Sequence, residues 1–256
     1  MKMPVVFSGH GDPMIAIRED NVTKEMKNVG EMILKEYGKP KAILSISAHW
    51  FTRGTFIQSA NNPKQIYDMY GFPKKLYEVK YPVTGSSALT KRLIELLQDK
   101  VKIDDSWGID HGTWTLLVHM FPDASIPVVQ LSVDSTLSKE DIIELGKKLS
   151  ILRDEGYLII GSGNVVHNLE MVNWSNRNGS KETICFNDFI TNAIINKEID
   201  KVFNYETHKY SSYAVPTVEH YLPLLYCIAI SNYNNVKVFN NVCNLEAIAM
   251  TGYIFD

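Results

Sequence analysis

The apolar positions of this chain fall into two alternating kinds of segment. Short runs rich in β-branched residues, MPVVFS, KAILSIS, GTFIQS, IPVVQLSV and YLIIGS, have the length and content of buried strands. Between them the spacing changes to that of helices. NVTKEMKNVGEMILKEYG places Met26, Val29, Ile33 and Leu34 on one stripe and stops at Gly38. SSALTKRLIELLQD does the same with Leu89, Leu93, Leu96 and Leu97. SKEDIIELGKKLSILRDEG opens with Ser138 and Asp141 at capping-box spacing and runs to Gly156. ETICFNDFITNAIINK and PTVEHYLPLLYCIAIS complete the helices; Pro223 makes the first turn of the latter irregular or moves its start toward the proline. The tail, EAIAMTGYIFD, reads as a last strand.

Strands alternating with helices predict an α/β domain. The polar stretches NWSNRNGS (Asn173 to Ser180) and NYNN (Asn232 to Asn235) read as surface loops, and no linker or repeat divides the chain. Residues 1–256 are therefore expected to form a single domain, large enough for a substantial core.

Composition narrows the function. With 45% hydrophobic and 21% charged residues the chain reads as globular. A net charge of −3 offers no basic surplus for nucleic acid or an anionic membrane surface. No apolar stretch has the length of a membrane span, and the start, MKMPVVFSGHGDP, is too short in apolar residues for a signal-peptide core. Cys185, Cys227 and Cys243 are odd in number and lack CxxC spacing, which argues against a disulfide framework and for a reducing, cytoplasmic setting.

The histidines carry the chemical signal. Three of the seven follow strand-like runs: His10 after MPVVFS, His49 after KAILSIS and His167 after YLIIGSGNVV. In open α/β sheets ligands gather where the carboxyl ends of neighbouring strands release their loops, so these residues are expected to meet. His111, in GIDHGTW, sits in a glycine-flanked loop entering a short helix, and His220, in PTVEHYLPL, sits near a helix start. His119 in TLLVHMF reads as a packed helical histidine and His208 in NYETHKY as an exposed one. Imidazoles converging in this way serve metal binding, proton transfer or both. No HExxH, P-loop, GxSxG or Cys-His zinc pattern is present.

Seven motifs in order, GHGDP, SAHWFTRG, YGFPKKLYEVKYPVTGS, WGIDHGTW, DASIPVVQLSVD, SGNVVHNL and EHYLPLLY, resemble the class III extradiol ring-cleavage dioxygenases, specifically the 4,5-DOPA dioxygenase-like branch. The resemblance runs over nearly the whole chain and implies helices around a central mixed β-sheet. It implies one divalent metal per chain, held by His10, His49 and His220, with Fe(II) for dioxygenase activity and Zn(II) also suited to an all-histidine set. By the same resemblance His167 is the acid/base residue and a candidate fourth ligand, and His111 is a catalytic residue lining the substrate and oxygen pocket. The first motif departs from the family's GHGSP, since Asp12 stands in place of the serine beside the substrate pocket. Trp50 and Trp114 flank ligand positions and could wall that pocket or pack in the core.

The reaction implied is extradiol opening of a DOPA-like catechol by O2 to a muconic semialdehyde. The expected partners are thus a small aromatic diol and O2, with no nucleic acid or membrane. Two alternatives use the same scaffold: a zinc hydrolase with Glu219 as base, or a non-catalytic metal- or aromatic-binding protein.

Overall fold

In the computed structural model, which describes residues 2–256, the apolar runs become strands of one sheet. The strands are β1 (Val5–Gly9), β2 (Ile43–Thr52), β3 (Thr55–Ile57), β4 (Val101–Ile103), β5 (Val128–Asp134), β6 (Leu158–Gly163), β7 (Val236–Phe239), β8 (Cys243–Asn244), β9 (Ile248–Ala249) and β10 (Gly252–Phe255). Eight of them form a sheet in the order β4-β3-β5-β2-β6-β1-β10-β7, and β8 and β9 pair separately. The centre, β5-β2-β6-β1, is parallel. Toward the edges β3 runs antiparallel to β5, and β10 antiparallel to both β1 and β7, so the sheet is mixed.

Six long helices cover it: α1 (Asn21–Glu36), α2 (Ser87–Leu97), α3 (His111–Met120), α4 (Lys139–Leu149), α5 (Lys181–Ile195) and α6 (Leu222–Ser231). Alternate strand residues feed two cores. Val5 and Phe7 of β1 pack on the side of α2, α4, α5 and α6. Val6 packs on the opposite side with Met26 and Ile33 of α1 and Leu117 of α3. Parallel strands buried on both faces must read as continuous apolar runs, which is why the sequence displayed them so plainly.

Local signals set the helix ends. Asp20 and Thr23 form a reciprocal capping box at α1, and Ser138 and Asp141 form the expected one at α4. Such caps each contribute about 1 kcal/mol. The expected single helix to Gly156 is instead interrupted after Leu149, where Ser150 Oγ donates to the Lys147 carbonyl at 2.7 Å; a short turn, Ile151–Asp154, follows. Helix α6 starts at Leu222 with Pro223 in its first turn, so His220 precedes the helix. The C-terminal run splits into β9 and β10. The edge strands β4 and β7 were not apparent in the sequence because they are short and interrupted by Lys102 and Lys237, residues that discourage edge-to-edge pairing. Among the described residues no helix is long and apolar enough to cross a membrane, and all three cysteines are free.

Candidate metal centre and active-site cleft

Strands β2, β6 and β1 are neighbours in the sheet, so their carboxyl ends release three loops side by side. His10 follows β1 directly and is buried. His49 lies within β2, which continues to Thr52. The pairing of β2 with β5 shifts between Ser47 and Phe51, leaving Ala48, His49 and Trp50 without partners there. A bulge of this kind re-aims a side chain out of the strand's regular alternation. His220 reaches the same point from the turn before α6, where its carbonyl accepts from the Asn164 amide at 2.8 Å. A Cβ at Gly163 would collide with that carbonyl, so only glycine allows this approach.

A ring nitrogen from each of His10, His49 and His220 lies within 4.8 Å of the other two. Hydrogen bonds fix which nitrogens these are. Ser162 Oγ donates to the Gly112 carbonyl at 2.5 Å, so toward His10 Nδ1, at 2.9 Å, it must accept. His10 therefore carries its proton on Nδ1 and exposes a bare lone pair on Nε2. His49 Nδ1 faces Asp68 Oδ2 at 3.2 Å, and His220 Nδ1 faces Glu219 Oε1 at 3.2 Å, which imposes the same tautomer on both. The Nε2 atoms of His10 and His49 then face each other at 3.1 Å with no proton between them, and His220 Nε2 is buried without a partner.

Burial holds the His10 and His220 imidazoles well below their ordinary value, and the neighbouring histidines push them further. Burial and His111 lower His49 to about 3 against the opposing pull of Asp68. Protonation therefore does not relieve the clash of lone pairs. A divalent cation does, and three neutral imidazoles with second-nitrogen acceptors are a donor set suited to Fe(II) or Zn(II). The residues present fit a metal ion.

Two further histidines border this triad. The His167 ring lies parallel on His220, with centroids 3.5 Å apart, and its backbone amide donates to the Ala214 carbonyl at 2.9 Å. Burial lowers its pKa to about 4. His167 stands beside the triad of converging nitrogens and is not one of its members. His111 opens α3, with its ring centroid 3.8 Å from that of His49. Its backbone amide donates to Asp68 Oδ1 at 2.9 Å, and its Nδ1 lies 3.0 Å from the same oxygen, out of line for a hydrogen bond. One carboxylate thus holds both His49 and His111. Although burial opposes it, close contact with His111 and His49 holds the Asp68 carboxyl below the usual carboxylate range.

Behind them Asp110 caps α3 and is fully buried. It accepts from Ser47 Oγ at 2.7 Å, Trp107 Nε1 at 3.1 Å and Gln130 Nε2, and burial raises its pKa. A Cβ at Gly112 would stand 2.5 Å from Ser47 Oγ and 2.9 Å from His49 Cδ2, so α3 can dock against β2 this closely only without a side chain there.

All five histidines line one cavity of about 360 Å³ whose other wall is apolar, formed by Phe72, Leu169, Val172, Trp174, Leu245 and Ile248. That size and lining suit a small aromatic molecule. Asp12 lies at its rim; its carboxylate caps the Met14 amide at 2.9 Å and pairs with Arg18 at 2.7 Å. Trp50 and Trp114 are elsewhere. Trp50 is buried outside the cavity lining, on a bulge that turns its neighbour His49 inward. Trp114 packs in the core against Tyr67, 5.6 Å between centroids, and donates to the Ile66 carbonyl at 2.9 Å, bracing the loop that carries Asp68. The aromatic side chains of the apolar wall are Phe72 and Trp174, the latter in a segment that reads as a plain surface loop.

Glu219 accepts from Thr217 Oγ1 at 2.7 Å and sits on the Nδ1 side of His220, outside the cavity lining, where a hydrolytic base would not reach a bound substrate. His119 is packed, its Nε2 donating to the Ile15 carbonyl at 2.8 Å, and His208 is half-buried on Phe189 instead of exposed. Asp68 and Ser162 gave no sequence signal of their own beyond proximity to the YGFP and SGN motifs.

Fold and site together define an α/β protein with a cluster of histidines, fit to hold a metal ion, at the carboxyl edge of its sheet. The family described as the catalytic LigB subunit of aromatic ring-opening dioxygenase matches residues 4–256, and the chain belongs to it. A protein of Escherichia coli (strain K12) named 4,5-DOPA dioxygenase extradiol is 42% identical over 233 residues, 89% of this chain and 84% of that protein. One of the same name from Beta vulgaris is 38% identical over 224 residues, 85% and 83% of the two chains. The crystal structure of an uncharacterized Escherichia coli K12 protein matches with a TM-score of 0.83 and 35% identity, over 100% of both chains.

Proposed function

We propose that this protein uses Fe(II) and O2 to open the ring of a catechol carrying a side chain of the DOPA type. It is an extradiol ring-cleaving dioxygenase, the activity by which its family is described and its relatives are named. In that reaction the carbon–carbon bond beside the diol breaks and both oxygen atoms of O2 enter the product, a muconic semialdehyde. The observation that carries the reading is the pair of facing Nε2 atoms of His10 and His49 beside the unpartnered Nε2 of His220, at the floor of an aromatic-sized cavity.

His10, His49 and His220 would hold the ion. Iron supplies electron exchange between catechol and O2, which zinc, having no redox chemistry, does not. The chain's own residues do the rest. His167, neutral at physiological pH because burial depresses it to about 4, accepts a phenolic proton from the bound diol and returns it as the ring opens. His111, fixed through its amide by Asp68, hydrogen-bonds substrate or oxygen from the opposite side. The apolar wall holds the ring and excludes water.

Reconstitution tests the reading. Metal-free protein is loaded anaerobically with Fe(II) or Zn(II), mixed with DOPA and other catechols, then exposed to air. A yellow ring-opened product with iron alone is expected. Absence of product from every catechol, with ester or amide hydrolysis by the zinc form, overturns it; absence of both leaves a binding protein.

A further inference from the structure

The metal-centre cavity does not end at its apolar wall. A second cavity of about 460 Å³ adjoins it and shares Asp12, Phe72, Trp174 and Leu245 with it. Its remaining lining includes two guanidinium groups, Arg18 and Arg177. Their states differ. Arg18 is held by Asp12 at 2.7 Å and lies 3.8 Å from Asp20. Arg177 is exposed, and among the described residues no carboxylate lies within 4.0 Å of it and no hydrogen bond engages it. Of the five arginines, Arg18 and Arg92 are ion-paired and Arg153 donates to a backbone carbonyl; Arg53, like Arg177, has no ion pair among the described residues, but it lines a separate cavity away from the histidines. With Asp12 neutralised by Arg18, the outer cavity keeps one uncompensated positive charge.

We infer that this outer cavity is a subsite for the anionic substituent of the aromatic substrate, with Arg177 as its recognition residue and the Asp12–Arg18 pair as its floor. The inference rests on the dioxygenase reading for the identity of the ring and adds where the rest of the molecule goes. A diol held at the histidines in the inner cavity directs its ring substituent across the residues shared by both cavities. Phe72, Trp174 and Leu245 cover the methylene carbons, and a terminal carboxylate meets the planar fork of Arg177, which suits bidentate carboxylate binding. The Asp12 carboxylate does not repel this group, because Met14 N and Arg18 already engage both of its oxygens.

The test compares two catechols that differ only in the terminal group, dihydrocaffeate and para-ethylcatechol. Binding is measured by calorimetry on zinc-loaded protein, where no turnover intervenes, and kcat/KM on the iron form. The native protein is expected to favour dihydrocaffeate. Arg177→Gln is expected to reduce that preference about three- to tenfold, Arg177→Glu to reverse it, and Arg177→Lys to retain part of it. Raising the salt concentration should erode the native preference and leave that of Arg177→Gln unchanged. A native protein with no preference, or an Arg177→Gln protein that keeps it, overturns the subsite even if both catechols are cleaved. Loss of the binding preference in Arg177→Gln, with no ring opening of either catechol by the iron form, upholds the subsite and fails the dioxygenase reading instead.

Discussion

The imidazole of His167 lies parallel to that of His220, with ring centroids 3.5 Å apart and ring planes within 5°. This places a neutral base directly against the third of the converging histidines while leaving it outside their set. His167→Ala should therefore retain its metal and lose turnover by about a hundred- to ten-thousandfold, the usual share of a general acid–base group. Metal analysis beside steady-state rates decides it: metal loss in proportion to activity would make His167 a ligand.

Alanine at His10, His49 or His220 should behave differently. Each removes one of three lone pairs that nothing else in the protein neutralises. Each variant is expected to purify with far less metal than the native chain. Full occupancy in all three would show that the ion binds elsewhere.

Asp68 is expected to matter nearly as much as a ligand, since it orients His49 through one oxygen and His111 through the other. Asp68→Asn preserves size but offers only one acceptor oxygen. Acceptors that hold a ligand's second nitrogen typically contribute about ten- to a hundredfold in metal affinity. Competition with a chelator of known strength measures the loss; an unchanged affinity would reduce Asp68 to a loop contact.

The metal-free protein should be sensitive to acid. His10, His49, His167 and His220 all sit below the usual 6.5 in the folded state, His167 at about 4, chiefly through burial. Between those values the unfolded chain binds more protons than the folded one, so stability rises with pH. It reaches its plateau above the unfolded value and is lost as pH falls below it, by up to about 1.4 kcal/mol per pH unit for each histidine. Urea midpoints at several pH values between 4 and 8 should show this slope. A flat profile would mean that these histidines are not held neutral.

Gly112→Ala should displace His49. The added methyl meets Ser47 Oγ and the His49 ring at distances that no side chain tolerates, with Asp110 behind them. The expected cost is about 1 to 3 kcal/mol in stability together with weaker metal retention, read from thermal melts with and without metal. A variant as stable and as well loaded as the native protein would show that α3 can shift away freely.

The sequence by itself determined the alternation of buried strands and amphipathic helices, because each needs only a local period, and it displayed three histidines at the ends of such strands. The settings of His111, entering a short helix, and His220, near a helix start, marked two more, and the resemblance gave the five their roles. Tertiary structure decided what those histidines face. That Asp68 bridges His49 and His111, and that Ser162 sets the tautomer of His10, follows from β2, β6 and β1 lying side by side, an order no local pattern encodes. The tryptophans show the same limit. Trp50 and Trp114 adjoin the right histidines in sequence, yet the bulge in β2 and the packing of α3 turn them away from the cavity, while Trp174, from a loop with no apolar period, forms part of its wall. A side chain's neighbours along the chain are fixed by covalent bonds, but its neighbours across a cavity depend on where distant segments stop and turn.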